Sequence, residues 1–585
     1  MSRLWMRDDG FLVVSCDYDQ RNIPKEIGGR WDGIEKAWTV AFTSDNLEYL
    51  IDNLDNPTVD PSVEERLMQQ TQKEARLEKL REMAKQDVPV NLKVAGLKPS
   101  CHLYNYQKLG VAYALTNGEG ILDADEMGLG KSITAIAVSL VRKAKGLAKN
   151  CLVITPASLK FNWPLEIEKF TDEKYVVVDG SPDERIAQWK RTDVFFTIVN
   201  YELLLEDLFG GRDLKAKEGD SEAMIVRKQD QKAKAEFRKK VLADIRQRTW
   251  DVIITDEVHV LKSHASKRSL NTKQLRSRFR MALTGTPMDG RLEELHSVME
   301  FVSPGLLESR TRFLQKHADT DFFGKITGYH DIDSVRKRIA HCFLRRLKKD
   351  VLKDLPNKIY ENRIVVLSPS ERDIYKKLAS RGHEVTKDVE AMVAVIRCKQ
   401  FCDHPKLIGE NGKTNSKLES LREVLDEVVI ENGHKVLVFS QYKQMVNILV
   451  GLFDEMSLKY LRIDGDTPKQ SRADYQKQFN EDPKLDIMVG TEAMSAGLNF
   501  TSADFVINYD DNWAPAIMDQ RSDRAHRIGQ KSVVTVVGFI CKDTIEERIR
   551  AVLYGKSVIT AETLGDDVDD MVLRRLGPKD IAQLL

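Results

Sequence analysis

Cysteine is scarce in this chain of 585 residues, and neither charge is in excess. The seven cysteines are scattered apart from Cys398 and Cys402, and an odd number cannot all be paired in disulfides. This usage is typical of a reducing compartment, so we expect an intracellular, cytoplasmic protein. Because 90 basic residues balance 90 acidic ones, a polyanion would have to be bound by a local basic surface.

Long apolar runs are missing as well. No run approaches the length needed to span a membrane, and the opening stretch MSRLWMRDDGFLVV interrupts its apolar residues with two aspartates, unlike a secretory signal. We therefore expect no membrane partner. With 42% hydrophobic residues the chain can still bury several cores, and its length suggests roughly four domain-sized units.

Short β-branched runs alternate with helical stretches in two parts of the chain. CLVITPASL, VFFTIVNYE, DVIITDEVH and MALTGTP form the first series, and HKVLVFSQY, LDIMVGTEA and DFVINYD form the second. Such alternation predicts an α/β fold with two lobes, each built on a parallel sheet covered by helices. We predict these segments: a small β-rich N-terminal module at 1–60, a linking helix at 61–95, the first lobe at 96–300 with a charged insertion near 206–248, a helical and basic linker at 301–360, the second lobe at 361–550, and a C-terminal helical tail at 551–585.

The stretch DEMGLGKS has the features of a phosphate-binding loop. Gly128, Gly130, Lys131 and Ser132 follow the apolar strand GILDA and open the helical stretch SITAIAVSLV. In that context backbone N–H groups point at phosphates while the lysine holds the β- and γ-phosphates. Asp125 occupies the position where this loop usually begins with glycine. A chance Gly-rich turn is the alternative.

Two adjacent acids end the apolar run DVIITDE. In an open α/β sheet the carboxyl ends of the strands also carry the phosphate loop. Asp256 can then hold Mg²⁺ together with Ser132, and Glu257 can polarise the attacking water. Alone, such a pair is usually a solvated turn, but the two motifs in this order predict an NTPase.

The second lobe contributes the stretch QRSDRAHRIGQ. Arg524 and Arg527 lie three residues apart, on one face of a predicted helix. Arginines that reach the γ-phosphate would stabilise the transition state by a factor of roughly 10³–10⁵. The alternative is two surface arginines on an amphipathic helix.

An ordered series of motifs from about Leu103 to Arg550 resembles the superfamily-two helicase-like ATPases, and within them the Swi/Snf-type DNA translocases. The motifs include LYNYQKLGVAY, DEMGLGKS, LVITPASLKFNW, DEVH, LTGTP, FLRRLKKDVLKDLPNK, VGTEAMSAGLNF, DDNWAP and QRSDRAHRIGQ. The family's phosphate loop commonly begins with aspartate, which accounts for Asp125. Val258 departs from the more usual alanine, with little consequence because both are small and apolar.

The resemblance implies two RecA-like lobes that use ATP and Mg²⁺, and it implies roles for single residues. Gln107 resembles the glutamine that reads adenine, and Gly497 and Gln520 match positions near the nucleotide. Lys131, Asp256, Glu257, Arg524 and Arg527 match the catalytic set. The residues that match the set coupling the γ-phosphate to the grip on DNA are His259, Thr284, Gly285 and Thr286.

Three groups of residues are candidates for DNA contacts. Basic residues of FLRRLKKDVLKDLPNK could neutralise phosphates, although the family uses this stretch to join its lobes, so part of their charge is structural. Trp513 matches a family tryptophan beside the DNA groove, with a core tryptophan as the alternative. The N-terminal stretch IPKEIGGRWDGIEKAWTV resembles the HARP-type module of annealing helicases, and its alternative is a β-rich unit with tryptophans in its core. The candidates besides Trp513 are Arg345, Arg346, Lys348, Lys349, Arg30, Trp31, Lys36 and Trp38.

Together these features predict a compact, bacterial- or viral-type translocase on double-stranded or forked DNA, acting as a monomer within the nucleoid alongside single-strand or replication-fork proteins. Its output would be strand annealing, branch migration or fork remodelling, in DNA repair and replication. Two alternatives stay open: a helicase that separates DNA or RNA strands, and a DNA-bound scaffold that uses ATP only as a switch.

Overall fold

A computed structural model describes residues 2–7, 10–33, 35–86, 88–210, 232, 236–352, 355–356, 358–383, 388–410, 415–495, 497–551, 559 and 563. The chain divides into two compact units, the first formed mainly by Met1–Glu126 and Gly130–Arg346 and the second mainly by Leu347–Glu562. Most of the predicted charged insertion and of the predicted C-terminal helical tail lies outside the described residues.

The first unit begins with a small five-stranded sheet. Its strands lie in the order Arg30–Asp32, Ala37–Ala41, Phe11–Ser15, Arg3–Met6 and Thr58–Val59, and only the last pair is parallel. The short helix Asn22–Glu26 and the helix Ser44–Asn53 accompany it. Leu4, Leu12 and Leu50 are fully buried at its centre. The long helix Pro61–Lys85 follows, with the Asp60 side chain capping its first turn.

A seven-stranded parallel sheet forms the centre of the first unit. Cys151–Thr155 and Phe196–Asn200 are buried along their whole length, as expected for strands covered by helices on both faces. The strand order is Phe343–Leu344, Gly120–Asp123, Arg280–Leu283, Val252–Asp256, Cys151–Thr155, Phe196–Asn200 and Tyr175–Val177. Two further pairs of short strands are Thr249–Trp250 with Arg276–Ser277 and Ala318–Thr320 with Ile326–Tyr329. The α-helices that follow Pro61–Lys85 in this unit include Asn105–Asn117, Lys131–Ala144, Asn162–Phe170, Pro182–Trp189, Tyr201–Phe209, Ala243–Gln247, Lys267–Lys273, Leu292–Val302, Arg310–His317 and Ile332–Ile339.

The second unit contains a six-stranded parallel sheet. The strand order is Lys358–Val365, Val534–Cys541, Phe505–Asn508, Val436–Phe439, Ile487–Gly490 and Tyr460–Ile463. Its α-helices include Lys348–Val351, Pro369–His383, Asp388–Asp403, Ser416–Leu425, Lys443–Glu455, Lys469–Glu481 and Pro515–Ser522.

The predicted α/β class with two parallel sheets and a small β-rich N-terminal part is confirmed. The structure adds that the N-terminal sheet belongs to the same compact unit as the seven-stranded sheet. The region predicted as a linker at 301–360 spans both units, and it contributes the edge strand Phe343–Leu344 to the first sheet. Among the helices of the described ranges, none is both long and apolar enough to cross a membrane.

Candidate active site

Three neighbouring strands of the first sheet end at the same level. Asp123 pairs with Leu283, and Leu283 pairs with Asp256, so the loops that follow these three residues leave the sheet side by side. They are the phosphate loop, the Thr284–Thr286 turn and the acidic turn after Asp256. The register therefore brings three motifs that are far apart in sequence to one edge of the sheet.

The phosphate loop has the backbone geometry that its glycines allow. Gly128 and Gly130 have φ angles of 88° and 82°, a region that side chains other than glycine rarely adopt. The helix Lys131–Ala144 starts directly afterwards, with Ser132 as its second residue, so the N–H groups of its first turn, which have no partner within the helix, lie next to the loop. The Lys131 ammonium donates to the carbonyls of Asp125 (2.7 Å) and Glu126 (3.3 Å) and thereby spans the loop that it would share with a phosphate.

The side chain of Gln107 lies against this loop. Its Oε1 accepts a hydrogen bond from the Tyr104 N–H (3.0 Å), which fixes the start of the helix Asn105–Asn117. A Cβ atom added to Gly130 would lie only 2.5 Å from Gln107 Nε2. The glutamine predicted to read adenine is thus beside the predicted phosphate cradle.

Asp125 closes the base of the loop through an ion pair. Its carboxylate accepts two hydrogen bonds from Arg346 Nε, at 2.9 and 3.1 Å, and a third from the same guanidinium. Asp123 lies just before it, and burial raises the pKa of the Asp123 carboxyl, with the nearby charge of Asp125 acting in the same direction. The aspartate in place of the first glycine is therefore an anchor for Arg346.

The acidic turn is held by aromatic residues. Trp163 donates its Nε1–H to the Asp256 carboxylate at 2.9 Å, and the Tyr201 hydroxyl donates to the Asp256 carbonyl at 2.9 Å. Glu257 adopts a left-handed conformation with φ of 48°, which costs about 1–3 kcal/mol for a residue with a side chain. Such strain is concentrated at functional sites, and here it sets the direction in which the carboxylate of Glu257 leaves the strand.

The donor set at this edge fits a divalent cation. Burial raises the pKa of the Asp256 carboxyl, the neighbouring charge of Glu257 raises it further, and the hydrogen bond from Trp163 opposes both. The desolvated Asp256 carboxylate, the adjacent Glu257 carboxylate and a serine hydroxyl at the start of a helix are oxygen ligands of the kind that Mg²⁺ prefers. Asp256 and Ser132 are the residues that would hold the ion.

His259 joins the acidic turn to the turn after the middle strand. Its Nδ1 lies 3.1 Å from the Glu257 carboxylate and 3.4 Å from Thr284 Oγ1. Thr284 Oγ1 also accepts from the Thr286 N–H at 3.1 Å, which shapes the turn that contains Gly285. A change at Glu257 therefore has a short, polar path to the Thr284–Thr286 turn.

The residues predicted to complete the site from the second unit lie around one loop. Arg524 donates to the Leu498 carbonyl at 3.1 Å and to the Gln520 carbonyl at 3.2 Å. Arg527 donates to the side-chain oxygen of Asn499. Gly497, with φ of 73°, precedes the two loop residues that receive these bonds. The arginine pair is thus held on the Gly497–Asn499 stretch, and its reach to a nucleotide stays a prediction.

Some predicted DNA contacts lie in the interior instead of on a basic surface. Arg346 is committed to Asp125, and Lys348 is buried against Asp523 at 2.8 Å. Although burial opposes the effect, the charges of Lys358 and Lys348 lower the pKa of Asp523 to about 2. For Arg346 and Lys348 this burial favours a structural role over direct contact with phosphates.

Other candidates have mixed environments. Arg345 donates to the carbonyls of Ala124 (2.9 Å) and Gly285 (3.3 Å), and so braces two loops of the candidate site. Lys349 is exposed, whereas Trp513 is half-buried with the Lys399 ammonium 5.7 Å from its ring.

In the N-terminal sheet, Trp31 is 55% exposed and meets Trp38 edge to face. Trp38 is 9% exposed and packs in the core of the sheet, as the alternative interpretation of this module held. Arg30 and Lys36 are exposed, and Arg30 forms an ion pair with Glu300 at 2.9 Å. Only part of the predicted contact set therefore faces solvent, and DNA binding by this sheet stays a prediction.

Asp123, Trp163 and Tyr201 also belong to the site, although no motif in the sequence indicates a role for them there. Their partners lie 93 residues away for Trp163 and 55 residues away for Tyr201, so their contacts depend on the tertiary fold. For Trp163 the sequence does contain a signal, because this residue ends the family motif LVITPASLKFNW. The motif alone does not say what the tryptophan contacts.

Comparison with known proteins gives matches over most of the chain. A model of the SNF2-related domain matches residues 70–407, and a model of the helicase conserved C-terminal domain matches residues 416–529. An uncharacterized ATP-dependent helicase of Mycoplasma pneumoniae is 30% identical over 479 residues, which cover 80% of this chain and 42% of that protein. The putative ATP-dependent helicase/translocase YwqA of Bacillus subtilis is 30% identical, with 79% of this chain and 48% of that protein covered. The chain thus spans less than half the length of these relatives.

Among solved structures, the Sulfolobus solfataricus SWI2/SNF2 ATPase core in complex with dsDNA is 28% identical. The match covers 81% of this chain and 96% of that one, with a TM-score of 0.38.

Proposed function

Because the chain belongs to the SNF2-related family of helicase-type ATPases, we propose that it is an ATP-driven translocase on double-stranded DNA that acts at forks or other junctions. The observation that carries the proposal is the position of His259, within 3.1 Å of Glu257 and 3.4 Å of Thr284. A hydrolysing site needs such a link if it is to drive movement. A relative named as a helicase/translocase adds support.

The proposed chemistry assigns a step to each loop. Lys131 and the N–H groups at the start of its helix hold the β- and γ-phosphates, and Gln107 reads the adenine. Mg²⁺, held by Ser132 and Asp256, would neutralise charge on the phosphates. Glu257 orients the attacking water and takes up its proton. Arg524 and Arg527 would stabilise the charge that develops on the γ-phosphate.

The proposed coupling runs through the neighbouring turn. Loss of the γ-phosphate changes what the Glu257 carboxylate contacts, and His259 passes this change to Thr284. The Thr284–Thr286 turn then alters the hold on one DNA strand. Because one chain carries both sets of residues, a monomer suffices, and its partners would be duplex or forked DNA with the proteins of replication forks.

The first test compares nucleic acids as activators. ATP hydrolysis with duplex DNA, forked DNA, single-stranded DNA and duplex RNA is measured side by side at fixed salt, because phosphate contacts are strongly salt-dependent. We expect duplex and forked DNA to stimulate hydrolysis most. Stimulation by RNA together with unwinding of blunt RNA duplexes would favour a strand-separating helicase instead.

The second test separates a motor from an ATP switch. Glu257→Gln keeps the shape of the side chain but removes the base, so we expect hydrolysis to fall by roughly 10²–10⁴ while ATP binding persists. Displacement of a triplex-forming strand from duplex DNA reports translocation, and it should fail in this variant. Full biological activity of Glu257→Gln would contradict the motor and support the switch.

The third test concerns the exposed tryptophan of the N-terminal sheet. If Trp31 stacks on an unpaired base at a fork, Trp31→Ala should weaken fork binding by about 1–3 kcal/mol, and Trp31→Tyr should restore most of it. ATP hydrolysis stimulated by plain duplex should stay within twofold of the unaltered protein. Equal losses on fork and duplex would show that the sheet is merely structural.

A further inference from the structure

A cavity of about 240 Å³ lies within the first unit, near the amino-terminal ends of the strands of the seven-stranded sheet, whereas the candidate active site lies at their carboxyl ends. Three parts of the unit wall it: the turn at Gly10 and the stretch 41–43 of the N-terminal sheet, the helix Pro61–Lys85, and the central sheet. Glu119 and Arg280, which line it, stand at the starts of two central strands, whereas the phosphate loop follows the end of one of them. The cavity is therefore separate from the ATP site.

The lining of this cavity has more basic than acidic side chains. Arg66, Lys73, Arg278 and Arg280 line it, against the carboxylates of Glu74 and Glu119. Arg66 forms an ion pair with Glu119, and Lys73 lies 3.8 Å from the same carboxylate. One glutamate is thus shared by two cations.

Several of these cations carry a cost that a bound anion would offset. Arg280 donates to the backbone carbonyls of Phe301 and Leu275, both at 2.8 Å, and burial lowers its pKa to about 10. Burial likewise lowers the pKa of the Lys73 ammonium. The Nε–H of Arg66 is buried and finds no acceptor within the described parts of the chain. A buried donor without a partner is costly, and guanidinium groups are well suited to phosphate oxygens.

We propose that this cavity binds a phosphate-bearing small molecule. Its volume is slightly below the 300–1,000 Å³ range of common ligand pockets and far above that of one water, which suits a phosphate or diphosphate group. Its recessed position between three structural elements favours a small ligand over the backbone of a DNA duplex. Because its walls come from the N-terminal sheet and the central sheet, the bound molecule ties these two parts together.

The experiment measures binding of inorganic pyrophosphate to the 585-residue chain by calorimetry. A Lys131→Ala background removes the contribution of the phosphate loop. In this background we expect pyrophosphate to bind, and Arg66→Gln with Lys73→Gln to weaken it by about tenfold or more through loss of charge-assisted hydrogen bonds.

Glu119→Gln is the matched control. It breaks the same two ion pairs but leaves both cations in place, so binding should persist or become tighter. Arg278→Gln offers a second variant that preserves the fold, since its side chain is 69% exposed, and it should weaken binding severalfold.

Three results would overturn the proposal. The first is no pyrophosphate binding in the Lys131→Ala background. The second is an equal loss of binding in Glu119→Gln and in the Arg66 and Lys73 variant, which would assign these residues to holding the N-terminal sheet only. The third is that the Arg66 and Lys73 variant loses duplex DNA binding while its pyrophosphate binding is unchanged, which would assign these two cations to DNA phosphates. None of these outcomes depends on whether the chain translocates.

Discussion

Gly130→Ala is expected to destabilise the phosphate loop through two separable costs, and the second of them, the displacement of Gln107, also weakens ATP binding. An alanine at the φ of 82° found here is disfavoured by about 1–2 kcal/mol. Its Cβ would also lie 2.5 Å from Gln107 Nε2, so the amide must move and give up its hydrogen bond to Tyr104, at about 1 kcal/mol. The sum is about 2–3 kcal/mol of destabilisation, and the displaced amide can no longer read adenine.

Gly146 provides the matched control at the other end of the same helix. It has φ of 72°, but a Cβ there would meet nothing within 4 Å. Gly146→Ala therefore carries the backbone cost without the displacement of Gln107. Titration with a fluorescent ATP analogue should show a dissociation constant raised about tenfold or more in Gly130→Ala and unchanged in Gly146→Ala.

A double variant tests the route through Gln107. If Gly130→Ala acts on affinity by displacing this amide, then Gly130→Ala combined with Gln107→Ala should bind ATP no more weakly than Gln107→Ala alone. Effects that add to within about 0.5 kcal/mol would show that the two residues act independently. That result, or equal binding losses in Gly130→Ala and Gly146→Ala, would refute the reasoning.

Two predictions concern stability. Lys417 is fully buried between Asp403 (2.9 Å) and Glu546 (2.6 Å), so Lys417→Met should destabilise the second unit by about 3–5 kcal/mol. Lys443→Met removes a surface ion pair and should cost at most about 1 kcal/mol. Thermal unfolding followed by circular dichroism compares the two variants, and equal shifts of the melting temperature would contradict the buried-pair account. Burial lowers the pKa of His296 from 6.5 to about 4 in the folded protein. Between these two pH values the unfolded chain binds a proton on this imidazole and the folded chain does not. The free energy of unfolding should therefore fall as pH drops from 6.5 to 4 and should not depend on this group above pH 6.5. The loss attributable to this side chain is about 3 kcal/mol, and His296→Gln should flatten the pH dependence of the melting temperature by a measurable part of it.

Local patterns predicted the parts of the site that are continuous in sequence. In DEMGLGKS and in DVIITDE the functional side chains stand directly beside the helix or strand that positions them. The phosphate loop and the acidic turn can therefore be predicted without knowledge of the fold. The register of the sheet was not visible, because it depends on which strands pair. Leu283 between Asp123 and Asp256 is what brings the Thr284–Thr286 turn beside both acids.

Basic residues were the least predictable. FLRRLKKDVLKDLPNK is a cluster of basic residues, which predicts a positively charged surface. The sequence of the cluster does not show whether a carboxylate from a distant part of the chain pairs with each cation in the fold. Arg346 finds Asp125, 221 residues earlier, and Lys348 finds Asp523, 175 residues later. A pattern of cations therefore predicts a surface only when their long-range partners are known.

The same two pairings suggest why these basic residues are adjacent in the chain. Arg346 holds the base of the phosphate loop within the first unit, and Lys348 donates to Asp523 and to the His526 carbonyl within the second, in the segment that carries Arg524 and Arg527. Only Leu347 separates the two anchors. Because a buried charge that loses its partner is strongly destabilising, separating either cation from its carboxylate costs free energy. The two adjacent cations are therefore separate structural anchors, one within each unit.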